Sequence, residues 1–141
     1  LPTPWLTERH GYDPTFIDCK GGSDWDSLYP ASNKVIRGAT TIEELQTILD
    51  YLKEVYAEMR ERIDTMKNKT GGKDNYWNVS PEIREREGLK FKVILIDEFQ
   101  KLFDSEGDRE LAKVSKEIEA MIKRLISESR SSGIMISWIT Q

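Results

Sequence analysis

Phe91-Lys92-Val93-Ile94-Leu95-Ile96-Asp97-Glu98 is the stretch that decides the fold. From Phe91 to Ile96 it is almost wholly apolar and β-rich, the composition of a central parallel strand covered on both faces. Two adjacent carboxylates, Asp97 and Glu98, close it. In open α/β sheets the carboxyl edge of the strands is where ligands bind. Neighbouring acids at such a tip repel each other and cost stability unless a cation or a reaction uses them. The run is therefore a candidate to carry chemistry as well as structure; the alternative is a buried strand that simply ends in acids, as many do.

Downstream, Asp108 to about Ser131 predicts a helix. Leu111, Val114, Ile118, Met121, Ile122, Leu125 and Ile126 lie on one side of it, and Gly133 follows as a stop signal. Ile134 to Ile139 is a second β-rich run, ending in Thr140-Gln141. Parallel neighbours joined by one helix would bring Gln141 close to Asp97 and Glu98. A glutamine amide there can hydrogen-bond a γ-phosphate or an attacking water; the plain alternative is a strand ending in ordinary turn residues.

Upstream, Thr41 to about Met66 is the clearest helix. Thr41 and Glu44 have the spacing of a capping box. Ile42, Leu45, Ile48, Leu49, Leu52, Val55, Tyr56, Met59 and Ile63 recur at steps of three and four and build one apolar stripe. Further back, Thr15-Phe16-Ile17-Asp18 reads as a short buried strand that enters a loop at Cys19-Lys20-Gly21-Gly22. Strand, helix, strand, helix, strand describes an α/β domain with a parallel sheet and crossover helices.

Residues 67–90 interrupt this rhythm with Gly71-Gly72, Trp77, Pro81 and a charged stretch from Glu82 to Glu87. They are expected to form a long loop or an insertion. Lys67, Lys69 and Lys73 beside Tyr76 and Trp77 would suit a nucleic-acid backbone. The alternative is a solvated loop whose aromatics are tucked against the core.

The 141 residues suffice for one domain, and a formal net charge of −4 gives no global attraction for nucleic acid or anionic membrane. DNA contact would need a local basic patch or further parts of a larger protein. A single cysteine, Cys19, excludes an intrachain disulfide and suits a reducing compartment; a packed thiol at a strand end is expected. His10 has no Cys or His partner at ligand spacing, so no metal site is expected there. No apolar run reaches the roughly 18 residues of a membrane span. The sequence opens without Met and stops directly after a strand-like run, and it is expected to be a piece of a larger protein.

Ile96-Asp97-Glu98-Phe99, then a helix, then Ser129-Arg130-Ser131-Ser132-Gly133-Ile134 and a β-run ending in Thr140-Gln141 resemble the motor domain of the FtsK/SpoIIIE family of DNA translocases. That family reads IDEF, later ARAAGIH, then a strand ending in ATQ. Phe16-Ile17-Asp18-Cys19-Lys20 resembles its earlier strand ending in IDPK, with Cys19 in place of the proline. The resemblance runs from about Phe16 to Gln141 and is weakest over 67–90.

It implies a three-layer RecA-like P-loop NTPase core, here a single partial domain over residues 1–141. It also implies a hexameric ring that spends ATP, with Mg²⁺, to move double-stranded DNA. By resemblance, Asp97 of the Walker B strand positions the Mg²⁺ through water, Glu98 is the catalytic base, and Gln141 is a sensor at the nucleotide. Arg130 becomes a candidate arginine finger reaching a neighbour's nucleotide; a helix-end arginine on the last carbonyls is the alternative. A cytoplasmic location is implied, with membrane tethering through regions outside this sequence.

The phosphate cradle G-x-x-x-x-G-K-[ST] does not occur. Gly21-Gly22 lacks the Lys-Ser/Thr pair, and Gly71-Gly72-Lys73 is followed by Asp74. Three functions remain open: a fragment of a DNA translocase serving segregation, conjugative or plasmid transfer, or phage DNA handling; the ATPase domain of a protein secretion system; and a non-catalytic adaptor of the same fold.

Overall fold

A computed structural model of the chain describes residues 12–21 and 34–140. Strands β1 (Tyr12–Asp18), β2 (Lys34–Arg37), β3 (Phe91–Asp97) and β4 (Ile134–Ile139) form one sheet in the order β2-β1-β3-β4. Every pairing among them is parallel. The apolar run from Phe91 is indeed central: Lys92 to Ile96 are all buried.

The three expected strands and two long helices are present. Helix α1 (Ile42–Lys69) starts at the expected capping box, with Thr41 accepting from the Glu44 amide and Glu44 accepting from the Thr41 amide. Its apolar stripe packs on the sheet, joined by Tyr51 and Arg62, which the stripe did not include. Helix α3 (Arg109–Glu128) is capped by Asp108 and buries Val114, Ile118, Ile122 and Leu125. Ile126, assigned to the same stripe, is instead exposed. The two helices share one core with Ile17, Ile94, Ile96 and Ile134, so both cover the same face of the sheet. Phe16, Val93 and Leu95 alternate with those residues and form a separate apolar cluster on the other face.

Residues 67–90 are more ordered than a long loop. They hold a 3₁₀ turn at Tyr76–Asn78 and a short helix, α2 (Pro81–Arg86), capped by Ser80 with proline in its first turn. Met66, Tyr76, Val79 and Leu89 give the segment a small core of its own, with Ile83 and Phe91 packed on it. Tyr76 is thus tucked in, while Trp77 is 56% exposed. Lys67, Lys69 and Lys73 are exposed.

β2 escaped the sequence reading. Its four residues begin and end with charged side chains, and β1 is its only partner among the described residues. With β2 on one side of β1 and β3–β4 on the other, the strand order changes direction between β1 and β3. That is the switch point at which α/β sheets open a crevice at their carboxyl ends.

Candidate functional site

β1 and β3 run in register, and Asp18 pairs with Asp97 at their carboxyl ends. Asp18 is buried, and its Oδ1 accepts the amides of Lys20 and Gly21 at 3.1 and 3.2 Å. It therefore fixes the turn that leaves β1. Asp97 is half-buried at the strand tip, and its carbonyl accepts the Cys19 amide at 3.2 Å.

Glu98 is held differently. Its backbone lies in the left-handed region at φ 56° and ψ 47°, one of two described non-glycine residues with positive φ. Such a conformation at a bulky residue is costly and persists only where the surroundings impose it. Those surroundings are visible. Before Glu98 lies the buried strand; after it, a 3₁₀ turn at Phe99–Phe103 is pinned by the fully buried Leu102. The Leu102 carbonyl accepts the Ser115 hydroxyl of α3 at 2.7 Å, and Phe99 stacks on Trp138 of β4 with centroids 5.1 Å apart. The side chain of Gln100 donates to Glu98 Oε2. The Glu98 residue is 9% exposed, so its carboxylate is oriented and largely dry.

Cys19 sits among these acids. Its thiol is pushed up to about 12, first by burial and then by the negative charges of Asp18, Asp97 and Glu98, with Lys101 acting in the opposite sense. A protonated, fully buried thiol is inert, as expected for a packed strand-end cysteine.

Arg130 occupies the opposite edge. It lies in a 3₁₀ turn, Arg130–Ser132, that precedes β4, whereas Asp97 ends β3; Asp97 is the register partner of Ile139. The length of β4, roughly 16 Å at the usual strand rise, separates the two positions. The Arg130 side chain is exposed and makes no hydrogen bond to the last carbonyls of α3. The structure thus brings Asp97, Glu98 and Asp18 together and leaves Arg130 apart. Gln141 and His10 lie outside the described residues.

No group of three or more His, Cys, Asp or Glu among the described residues could cage a metal ion. A half-exposed Asp97 beside an oriented Glu98 fits a nucleotide-bound Mg²⁺ held through its water shell, which needs few protein ligands. No described helix is long and apolar enough to cross a membrane.

The parallel sheet and the helices against it match a RecA-like P-loop NTPase core. The fold is RecA-like. No family profile and no curated protein matches the sequence. Two solved structures share the RecA-like arrangement. One is the pCW3 conjugation coupling protein TcpA, in a monomer form with ATPγS: TM-score 0.71, 24% identity, over 97% of this chain and 36% of that one. The other is the cytoplasmic domain of the type VII secretion ATPase EccC from Thermomonospora curvata: TM-score 0.65, 16% identity, over 92% of this chain and 14% of that one. The RecA-like core described here therefore spans about a third or less of the chains it resembles.

Proposed function

We propose that this chain is the Walker B half of an ATP-hydrolysing motor of the FtsK/SpoIIIE kind, which moves double-stranded DNA. The observation that carries the reading is Glu98: a buried, left-handed, hydrogen-bonded carboxylate one residue beyond the tip of a central parallel strand. In this reading residues 1–141 are one partial ATPase domain, with 67–90 an insertion that folds onto it. Asp97 holds the water shell of the Mg²⁺ that neutralises the nucleotide phosphates. Glu98 orients and deprotonates the attacking water. Gln141 senses the nucleotide beyond the end of β4.

Arg130 lies at the opposite end of the strands from its own Glu98. It therefore serves the nucleotide of a neighbouring copy in a ring, where a guanidinium offsets charge developing on the phosphoryl group. The likeness to a conjugation coupling protein supports DNA as cargo. The likeness to a type VII secretion ATPase supports a second reading, in which the same core drives protein export.

The decisive substitution is Glu98→Gln in the full-length protein. It keeps shape and hydrogen bonding and removes the base. ATP turnover is expected to fall by a factor of about 10² to 10⁴ with nucleotide affinity retained; turnover at the parent rate would refute the assignment. The 141-residue chain alone, having no phosphate cradle, is expected to show no ATPase activity.

A further inference from the structure

The turn that carries Arg130 is held by three distant groups, two of them from the 67–90 segment. Trp77 Nε1 donates to the Arg130 carbonyl at 3.3 Å, across 53 positions of sequence. The Tyr76 ring lies so close to Gly133 that a Cβ there would come within 2.5 Å of it. Arg62 Nη1 donates to the Ser132 carbonyl at 3.2 Å, and the Ser132 hydroxyl to the Ser129 carbonyl at 2.7 Å.

Tyr76 and Trp77 are themselves fixed. The Arg84 guanidinium of α2 donates twice to the Tyr76 carbonyl, at 2.8 and 3.2 Å, and stacks 4.1 Å above the Tyr76 ring. Phe91, the first residue of β3, packs against Trp77 with centroids 5.4 Å apart. A continuous chain of contacts therefore runs from Arg84 through Tyr76 and Trp77 to the backbone of Arg130.

Energetically this is an odd use of a tryptophan. Trp77 remains 56% exposed, with one side of its ring on Tyr76 and Phe91. Its indole N–H is spent on the carbonyl of Arg130, the exposed residue of an otherwise largely buried turn. A solvated loop needs no such contact; an arginine that must meet a phosphate within a few tenths of an ångström does.

We propose that Trp77, aligned by Tyr76 and Arg84, is a positioning residue for Arg130: the 67–90 segment is a brace that sets the direction in which the Arg130 guanidinium leaves the sheet. The proposal rests on the arginine-finger reading given above. It assigns to the insertion a part in ATP turnover, in place of contact with nucleic acid.

The test uses Trp77→Phe, which keeps an aromatic ring and removes the N–H, together with Arg130→Ala and the double variant, all in the full-length protein. Trp77→Phe is expected to lower kcat roughly tenfold, as for one lost hydrogen bond that acts through geometry, with KM for ATP and the melting temperature unchanged. The double variant should be no slower than Arg130→Ala alone, because a brace has no effect once the group it aims is gone. Amide hydrogen exchange of residues 129–133, a readout independent of turnover, should quicken in Trp77→Phe while β3 stays protected. Losses that add in the double variant, unchanged kcat in Trp77→Phe, or unchanged exchange of the turn would each overturn the proposal. If Arg130→Ala slows turnover and Trp77→Phe does not, only the brace falls. If Arg130→Ala turns over ATP at the parent rate, the finger reading falls and takes the brace with it.

Discussion

The two edges of the sheet are built on opposite plans. At the carboxyl edge, Asp97 and Glu98 are held first by their own neighbours, the strand before them, the 3₁₀ turn after them and Gln100, with Ser115 of α3 and Trp138 of β4 securing that turn. At the amino edge, the Arg130 turn is positioned from afar, by Trp77, Tyr76 and Arg62 on segments more than 50 positions upstream. Local positioning suits groups that act on a nucleotide lying over their own sheet. Remote bracing suits a group aimed outward, whose own turn is too short to fix it. In the proposed reading, one sheet serves two half-sites, each completed by something beyond it.

The largest effect expected from this division is in mixtures. Glu98→Gln and Arg130→Ala subunits should each be inactive, by a factor of about 10³ in the case of a lost arginine finger. Mixed and co-assembled, they should regain a measurable share of turnover, because some junctions then pair an intact Glu98 edge with an intact Arg130 edge. A mixture as dead as its components would place both groups in one protomer's site and break the comparison.

A smaller effect is expected in stability. Gly133 has φ 77° and the Tyr76 ring against it, so Gly133→Ala adds backbone strain and a clash at once. It should destabilise the fold by about 2 to 4 kcal/mol in denaturant titration, and it should disturb the amino edge in hydrogen exchange more than Glu98. Equal disturbance at both edges would show that they are not independent.

Cys19 probes the carboxyl edge. Its thiol stays protonated to about pH 12 in the folded chain against 9.0 when exposed. Between those values the unfolded chain loses a proton that the folded chain keeps, so stability falls as pH rises through that window. At pH 8 to 9, alkylation of Cys19 should be slow in the native protein and fast in denaturant; rapid native labelling would mean that the edge opens.

The smallest effect concerns Glu44. Burial works to raise its carboxyl, but hydrogen bonds from Thr41 and Thr40 outweigh it and hold the group below 4.5. A lowered folded-state value means that the stabilisation is present above 4.5 and lost as pH falls through the folded value. Glu44→Gln, which keeps a capping side chain, should thus cost only a few tenths of a kcal/mol near pH 7, after allowance for its solvent exposure. That difference should vanish in acid.

Much of this was legible in the sequence because it is local or periodic. The strand at Phe91 announced itself by an unbroken apolar run, α1 by its stripe and its Thr41–Glu44 pair, and α3 by its seven-residue apolar side. β2 was not legible: Lys34-Val35-Ile36-Arg37 has two apolar residues between two charges, and only pairing with β1 makes it a strand. The ordered character of 67–90 was hidden because its small core draws Met66 from one element and Phe91 from another.

Of the candidate site, the position of the acids at the carboxyl edge was readable from their place after an apolar strand. That Arg130 falls at the other edge was implicit in its order, since it precedes its strand and the acids follow theirs. The Trp77 contact had no sequence signal; a hydrogen bond to a backbone carbonyl 53 positions away leaves no pattern in residue types.

The central pairing of the sheet has a consequence for how the chain is made. β1 and β3 join residues 79 positions apart, from Tyr12 with Phe91 to Asp18 with Asp97. Closing so long a loop is entropically slow, and contacts of that span reward it only late. During synthesis β1 must wait, with α1 already able to coil, until the strand at Phe91 has emerged. The acids of the two strands therefore meet only after α1 has been made, while α3 and β4 are still to come.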